Sequence, residues 1–271
     1  MRLVIAMLWC ACAGSTAAAK TELRNFDSPA EALASLLAAR PRVIAFGEYH
    51  EIKGAAPAKS AIAHFQEEML EPLKAGGSDL IVETWVTEGN CGKQEKEVVA
   101  QVEETTQRPE TTESEVVTLM KRAKAINIQP HILKLTCGGY QALLDDKGEV
   151  DYVKLLQTVT DLLRDKIMET LVARAAAPDK TILVYGGAIH NDVYPRRELA
   201  AFTFAPKIQK AVKGKYLEVD LYVPEYIDAD KELRAEAWYA PLQKLAKPGK
   251  ATLIRRGPSS YIIVFARGPK A

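Results

Sequence analysis

Val43-Ile44-Ala45-Phe46-Gly47-Glu48-Tyr49-His50 runs from apolar residues into a glycine, an acid and a histidine. Arg42 to Phe46 reads as a short apolar strand that ends at Gly47. The order returns far along the chain in Ile182-Leu183-Val184-Tyr185-Gly186-Gly187-Ala188-Ile189-His190, where Thr181 to Tyr185 is the strand. A glycine permits a sharp turn, so the side chains after it are expected to look across the edge of a sheet.

Outward from these two units, strand and helix signals alternate, which predicts an α/β layered fold with a mostly parallel sheet. Ser28-Pro29-Ala30-Glu31 is a capping box that opens a helix through Ala39, closed by Pro41. A second helix is expected from about Pro57 to Leu70, with Ile62, Phe65, Met69 and Leu73 on one face. Pro72 kinks or ends it, and Gly76-Gly77 terminates it. Asp79 to Glu83 reads as a strand apolar enough to be buried on both faces.

The stretch Thr84 to Glu115 is rich in Glu, Thr, Gln and Lys and reads as an exposed insertion. One helix is expected near Gln94 to Val102, a loop around Thr105 to Thr112, and a second helix from Glu113 to Ala125. Asn127 to Leu135 is a third strand, and Gly138-Gly139 is expected to break the chain. Asp151 to Ala175 is a long amphipathic helix with Leu155, Val159, Leu162, Leu163, Ile167 and Leu171 inward. Helices at Arg196 to Phe202 and Ala205 to Val212 precede an alternating strand, Tyr216 to Val223. Lys231 to Leu245 is helical with an interruption at Pro241, and Ala251 to Arg255 and Ser260 to Phe265 form a terminal hairpin turning at Gly257-Pro258.

The N-terminus reads as a signal peptide over residues 1–19. Arg2 supplies a basic start, Leu3 to Cys12 an apolar stretch, and Ala17-Ala18-Ala19 a small-residue cleavage site. The apolar stretch is too short for a stop-transfer helix, so the mature chain is expected to lack a transmembrane segment. Neither Cys10 nor Cys12 has the preceding residues a lipid anchor needs, and lipidation ranks second. The expected location is periplasmic or secreted, with residues 20–271 forming a single α/β domain that carries the insertion around 85–125.

Hydrophobic content of 48% and charged content of 26% suit a globular protein. The chain has 36 Lys and Arg against 35 Asp and Glu, and loss of Arg2 with the leader balances them. Such neutrality argues against nucleic acid or an anionic membrane as partner. Cys91 and Cys137 survive cleavage. Two thiols in an oxidising compartment suggest one disulfide, with two separate buried thiols as the alternative.

Ligands of open α/β sheets bind outside the carboxyl ends of the strands. Glu48 and His50, Glu83, and His190 all fall at such ends. Two imidazoles and two carboxylates supply general acid–base chemistry on a water. His50, Glu83 and His190 could equally hold a divalent metal. Each has a bland reading: a satisfied loop histidine, or an acid capping a turn. His131 reads as structural. The chain contains no Gly-x-Ser-x-Gly elbow, His-Glu-x-x-His pair, phosphate loop or dinucleotide glycine fingerprint.

The Gly-Glu-x-His turn, the helix with His64-Phe65-Gln66, the Ile-Val-Glu83 strand end and the later Gly-x-x-His resemble one superfamily. It unites erythromycin esterases, ChaN-like haem-binding proteins and Tiki/TraB proteins. Gly187 to Arg197, with Pro195, Arg196 and Arg197 after the histidine, is most similar to the ChaN-like branch. The resemblance spans roughly Arg42 to Arg197 and implies a three-layer αβα sandwich with histidines and acids facing one cleft. It implies Glu48, His50, Glu83 and His190 as site residues, with His64 and Arg197 in a second tier. Members are described as esterases, metal-dependent proteases or haem binders. The first expectation is therefore an exported hydrolase acting on an ester or peptide, with or without a metal. The alternative is a haem-binding protein of iron uptake, in which Tyr49 or a histidine meets the iron and Arg196 or Arg197 meets a propionate. The acidic stretch Cys91 to Glu115 and about the last sixty residues depart from the pattern.

Overall fold

The computed structural model describes residues 22–49, 58–106, 109 and 111–268; the leader read at 1–19 and His50 lie outside the described residues. One sheet of 8 strands runs through the molecule in the order β1-β7-β8-β6-β2-β5-β3-β4. The strands are β1 Glu22–Phe26, β2 Val43–Glu48, β3 Gly77–Glu88, β4 Gln129–Thr136, β5 Thr181–Gly187, β6 Tyr216–Tyr222, β7 Ala251–Gly257 and β8 Ser260–Val264. From β8 to β4 every pairing is parallel, and β7 is antiparallel to both β1 and β8.

Helices cover both faces, which makes a three-layer αβα sandwich. On one face Pro29–Leu37, the helical stretch from Ala61 to Leu73, and Thr111–Ala125 pack on Ile44, Phe46, Leu80, Val82 and Leu183. On the other, Cys137–Ala142, Tyr152–Ala173 and Ala205–Ala211 pack on Val43, Ala45, Ile81, Ile182 and Val184. Alternate residues of β2, β3 and β5 feed the two cores, so 43–46, 80–82 and 182–185 read as unbroken apolar runs. Pro224–Ala229 and Tyr239–Leu245 contribute to a third cluster with Ile254, Ile262 and Val264.

Local signals account for several boundaries. Ser28 Oγ accepts the Glu31 N–H at 3.2 Å, and Glu31 Oε2 reaches back to the Asp27 N–H at 3.1 Å. The Asp151 carboxylate caps the long helix through the N–H groups of Val153 and Lys154. The helix expected near Pro57 to Leu70 differs. It is α over Ala61–His64, π over Phe65–Met69 and α again over Leu70–Leu73. Pro72 has no N–H for the carbonyl one turn back, and the chain widens before it rather than stopping.

Five points differ from the expectations. β1 carried too short a pattern to be noticed, and it pairs with β7. β3 does not stop at Glu83. After a register irregularity between Val82 and Trp85 it continues beside β4 to Glu88, into the supposed exposed insertion. The insertion's helices, Gly92–Thr106 and Thr111–Ala125, turn Val98, Leu119 and Ala123 into the cores. Gly138-Gly139 does not break the chain: both lie in helix Cys137–Ala142, whose first turn is capped by Thr136 Oγ1 accepting the Gly139 N–H at 3.1 Å. β6 does not alternate between core and solvent, for every residue of Tyr216–Tyr222 is buried. Cys91 and Cys137 lie at disulfide distance, 2.08 Å between sulfurs. Among the described residues no helix is long and apolar enough to cross a membrane.

Candidate functional site

The two glycine-bearing units lie side by side. β2 and β5 are parallel neighbours with Gly47 opposite Gly186 and Glu48 opposite Gly187. The chain leaves β2 for the helical stretch Ala61–Leu73 on one face, and leaves β5 for Ala205–Ala211 on the other. Adjacent strands whose connections diverge in this way open a crevice at their carboxyl ends.

The glycines work by making room rather than by turning. Neither has a positive φ, and both lie within strands. A Cβ on Gly47 would meet Asn191 Nδ2 and Asp220 Oδ1 at 2.6 Å and Ala188 Cα at 2.7 Å. One on Gly186 would meet Glu83 Cβ at 2.7 Å and would also strike Glu83 Oε2. The paired glycines leave a bare notch, into which Glu83, Asn191 and the short helix Ala188–Asn191 settle.

Glu83 and His190 meet there. Glu83 Oε2 accepts the Gly187 N–H at 2.5 Å, and Oε1 faces His190 Nε2 at 3.6 Å. That gap exceeds a hydrogen bond but lies within ion-pair range. On its far side His190 Nδ1 is 2.8 Å from Thr160 Oγ1 and 3.0 Å from the Phe202 carbonyl oxygen. Asn191 spans Gly47, giving its Nδ2 to the Ala45 carbonyl at 3.2 Å and to Asp220 at 3.3 Å. Beside it, Arg256 lies between Glu218 and Asp220, 3.0 Å from Asp220 Oδ2, with both acids buried.

Glu48 leans to the opposite face of the strand ends, the side of Phe46, where its Oε2 accepts the Tyr185 hydroxyl at 2.5 Å. Glu48 and His190 thus lie at the ends of β2 and β5, and Glu83 reaches them from the register irregularity within β3, with the two acids on either side of the sheet's rim. Tyr49 donates its hydroxyl to Asp230 and meets Tyr222 edge-on, ring centres 6.3 Å apart. Burial, then the Asp230 hydrogen bond, pushes the Tyr49 phenol well above its ordinary range. His64 pairs through Nδ1 with Glu68 at 2.6 Å and stacks on Phe265, ring centres 4.2 Å apart. Burial lowers its pKa against the opposing pull of Glu68. Arg196 pairs with Glu236 at 2.8 Å, and Arg197 is exposed at the start of the 3-10 helix Arg197–Phe202.

Among the described residues no group of three His, Cys, Asp or Glu side chains is arranged to hold a metal. Two of the three nominated ligands nonetheless fit one ion. Ligands at about 2.1 Å on a tetrahedral centre sit roughly 3.4 Å apart, and the Glu83–His190 separation is 3.6 Å. The third, His50, lies outside the described residues.

Thr160, Tyr185, Asn191 and Asp220 were missed by sequence reasoning. Asn191 adjoins the second motif, and Asp220 sits in a strand whose alternation imitates an exposed face. Nothing local marks Thr160, whose partner is 30 residues away. No protein-family model, curated protein or solved structure matches the chain.

Proposed function

We propose that the chain is an exported, hydrolase-like protein acting on an ester or peptide through Glu48, His50, Glu83 and His190. It belongs, on this reading, with the erythromycin-esterase, ChaN-like and Tiki/TraB proteins. One observation carries the proposal: at the crevice between β2 and β5, the Glu83 carboxylate is anchored by Gly187 and backed by His190. A carboxylate beside an imidazole can take a proton from water attacking a carbonyl and return it to the leaving group. Glu48, fixed by Tyr185 across the rim, supplies a second carboxylate. A divalent ion held by Glu83, His190 and His50 would polarise the substrate carbonyl. Export is supported by the apolar leader and the Cys91–Cys137 bridge.

The test is turnover of simple aryl esters and short peptides by the mature chain, with and without divalent metal. Hydrolysis that disappears in the His50→Ala, His190→Ala double variant supports the reading; equal rates in both proteins refute it. A haem titration in the same preparation separates the alternative, since a Soret shift at micromolar haem would mark a haem binder.

A further inference from the structure

The proton positions at His190 follow from its neighbours. Phe202 presents a carbonyl, which only accepts, 3.0 Å from Nδ1. Thr160 has one hydroxyl proton, and its Oγ1 lies 2.7 Å from the Leu156 carbonyl one helical turn back. With that proton committed to Leu156, Thr160 turns a lone pair to Nδ1 at 2.8 Å. An unprotonated Nδ1 would set its own lone pair against the Phe202 oxygen in a buried site, where such a mismatch is costly. Nδ1 therefore carries a proton, and Nε2 is the nitrogen that faces Glu83.

We infer that Thr160 is a positioning residue of the proposed hydrolytic site, an inference that rests on that functional reading. Together with the Phe202 carbonyl it fixes the Nδ1–H tautomer of His190 and turns Nε2 to Glu83. Exposure divides their roles: the Glu83 side chain is 12% exposed and that of His190 3%. Glu83 is the group placed to meet water and substrate, and His190 backs it from the interior. The substrate-facing base is thus an acid, the reverse of an arrangement in which a carboxylate merely orients a histidine.

The experiment is nitrogen-15 histidine NMR on the full mature chain, with the His190 signals identified by their loss in His190→Gln. The wild type is expected to show Nδ1 protonated. Thr160→Val should speed exchange of that proton with solvent by about tenfold, as expected for one lost hydrogen bond, and should lower kcat on an aryl ester with KM unchanged. Thr160→Ser should restore both. A neutral ring protonated on Nε2 in the wild type overturns the inference, and so does a Thr160→Val protein whose exchange matches the wild type. Should Thr160→Val fail to fold, the wild-type tautomer and the Thr160→Ser protein still decide. A wild type that hydrolyses no ester while the exchange pattern holds overturns the hydrolytic reading and not the proton placement.

Discussion

Glu83 holds the Gly187 N–H with one carboxylate oxygen and turns the other to His190 Nε2 at 3.6 Å. A side chain from β3 thereby fixes both the last residue of β5 and the histidine that follows it. Residues sharing such a contact couple in double-mutant cycles. Glu83→Gln and His190→Gln, measured singly and together by urea unfolding, are expected to depart from additivity by about 1 kcal/mol or more. Additive effects would show that the two side chains do not act as a unit.

Gly47 and Gly186 are expected to tolerate no side chain, for different reasons. Alanine at Gly47 meets backbone, Ala188 Cα at 2.7 Å, as well as Asn191 and Asp220. Gly47→Ala should cost about 2 kcal/mol or more through overpacking. Alanine at Gly186 meets Glu83, so Gly186→Ala should displace that carboxylate and abolish turnover at a smaller stability cost. Thermal melts paired with ester assays separate the two; equal, near-zero melting shifts would contradict the notch.

Asp79 anchors the other end of the sheet. Its side chain, 1% exposed, accepts Arg174 Nε at 2.8 Å and Arg174 Nη2 at 3.1 Å, with His131 Nε2 at 2.8 Å. Burial pushes its pKa up, but hydrogen bonds from Arg174, His131 and Ser78 outweigh that and leave it lowered. A carboxyl depressed in the folded state contributes stability in full above its unfolded pKa, near 4. That contribution is lost as pH falls through the lower folded value. Asp79→Asn should cost about 3 kcal/mol at neutral pH, and its stability should fall less than that of the wild type between about pH 4 and pH 2. Parallel stability–pH curves would contradict this role.

The Cys91–Cys137 bridge joins residues 46 apart and ties the start of helix Gly92–Thr106 to that of Cys137–Ala142. On the chain-entropy account a loop of that size contributes about 4 kcal/mol. Reduction, or a Cys91→Ser, Cys137→Ser double variant, should therefore lower the urea midpoint markedly without altering the crevice residues. An unchanged midpoint would refute the expectation.

Arg256 stands between two buried acids, Glu218 and Asp220. Arg256→Met leaves them uncompensated and is expected to cost about 3 kcal/mol or more, and to recover part of that at acid pH. Full stability at neutral pH would mean the acids are solvated in some other way.

How far the fold was legible depended on the range of the signal. β2, β5 and helix Tyr152–Ala173 are set by apolar runs and local caps, and these emerged from spacing alone. So did the echo between the two motifs, as a pattern without a geometry. The purpose of Gly47 and Gly186 was misread, because the side chains they admit come from β3, β6 and the helix after β5. Acids at Glu218 and Asp220 imitate an exposed face, since their countercharge, Arg256, sits on another strand. β3 beyond Glu83 looked like an exposed insertion because Trp85, Thr87 and Glu88 gain their partners from β4. Thr160 carries no local mark at all, as its role exists only once the long helix is laid against β5.

The central claim is that the Glu83 carboxylate, at the register irregularity within β3, performs the chemistry. Its most direct test is the rate of aryl-ester hydrolysis by Glu83→Gln, whose side chain keeps an oxygen for the Gly187 N–H and loses only the charge. A fall of about a hundredfold or more, in a protein that remains folded, is the predicted result. Hydrolysis at the wild-type rate by a folded Glu83→Gln protein would contradict it.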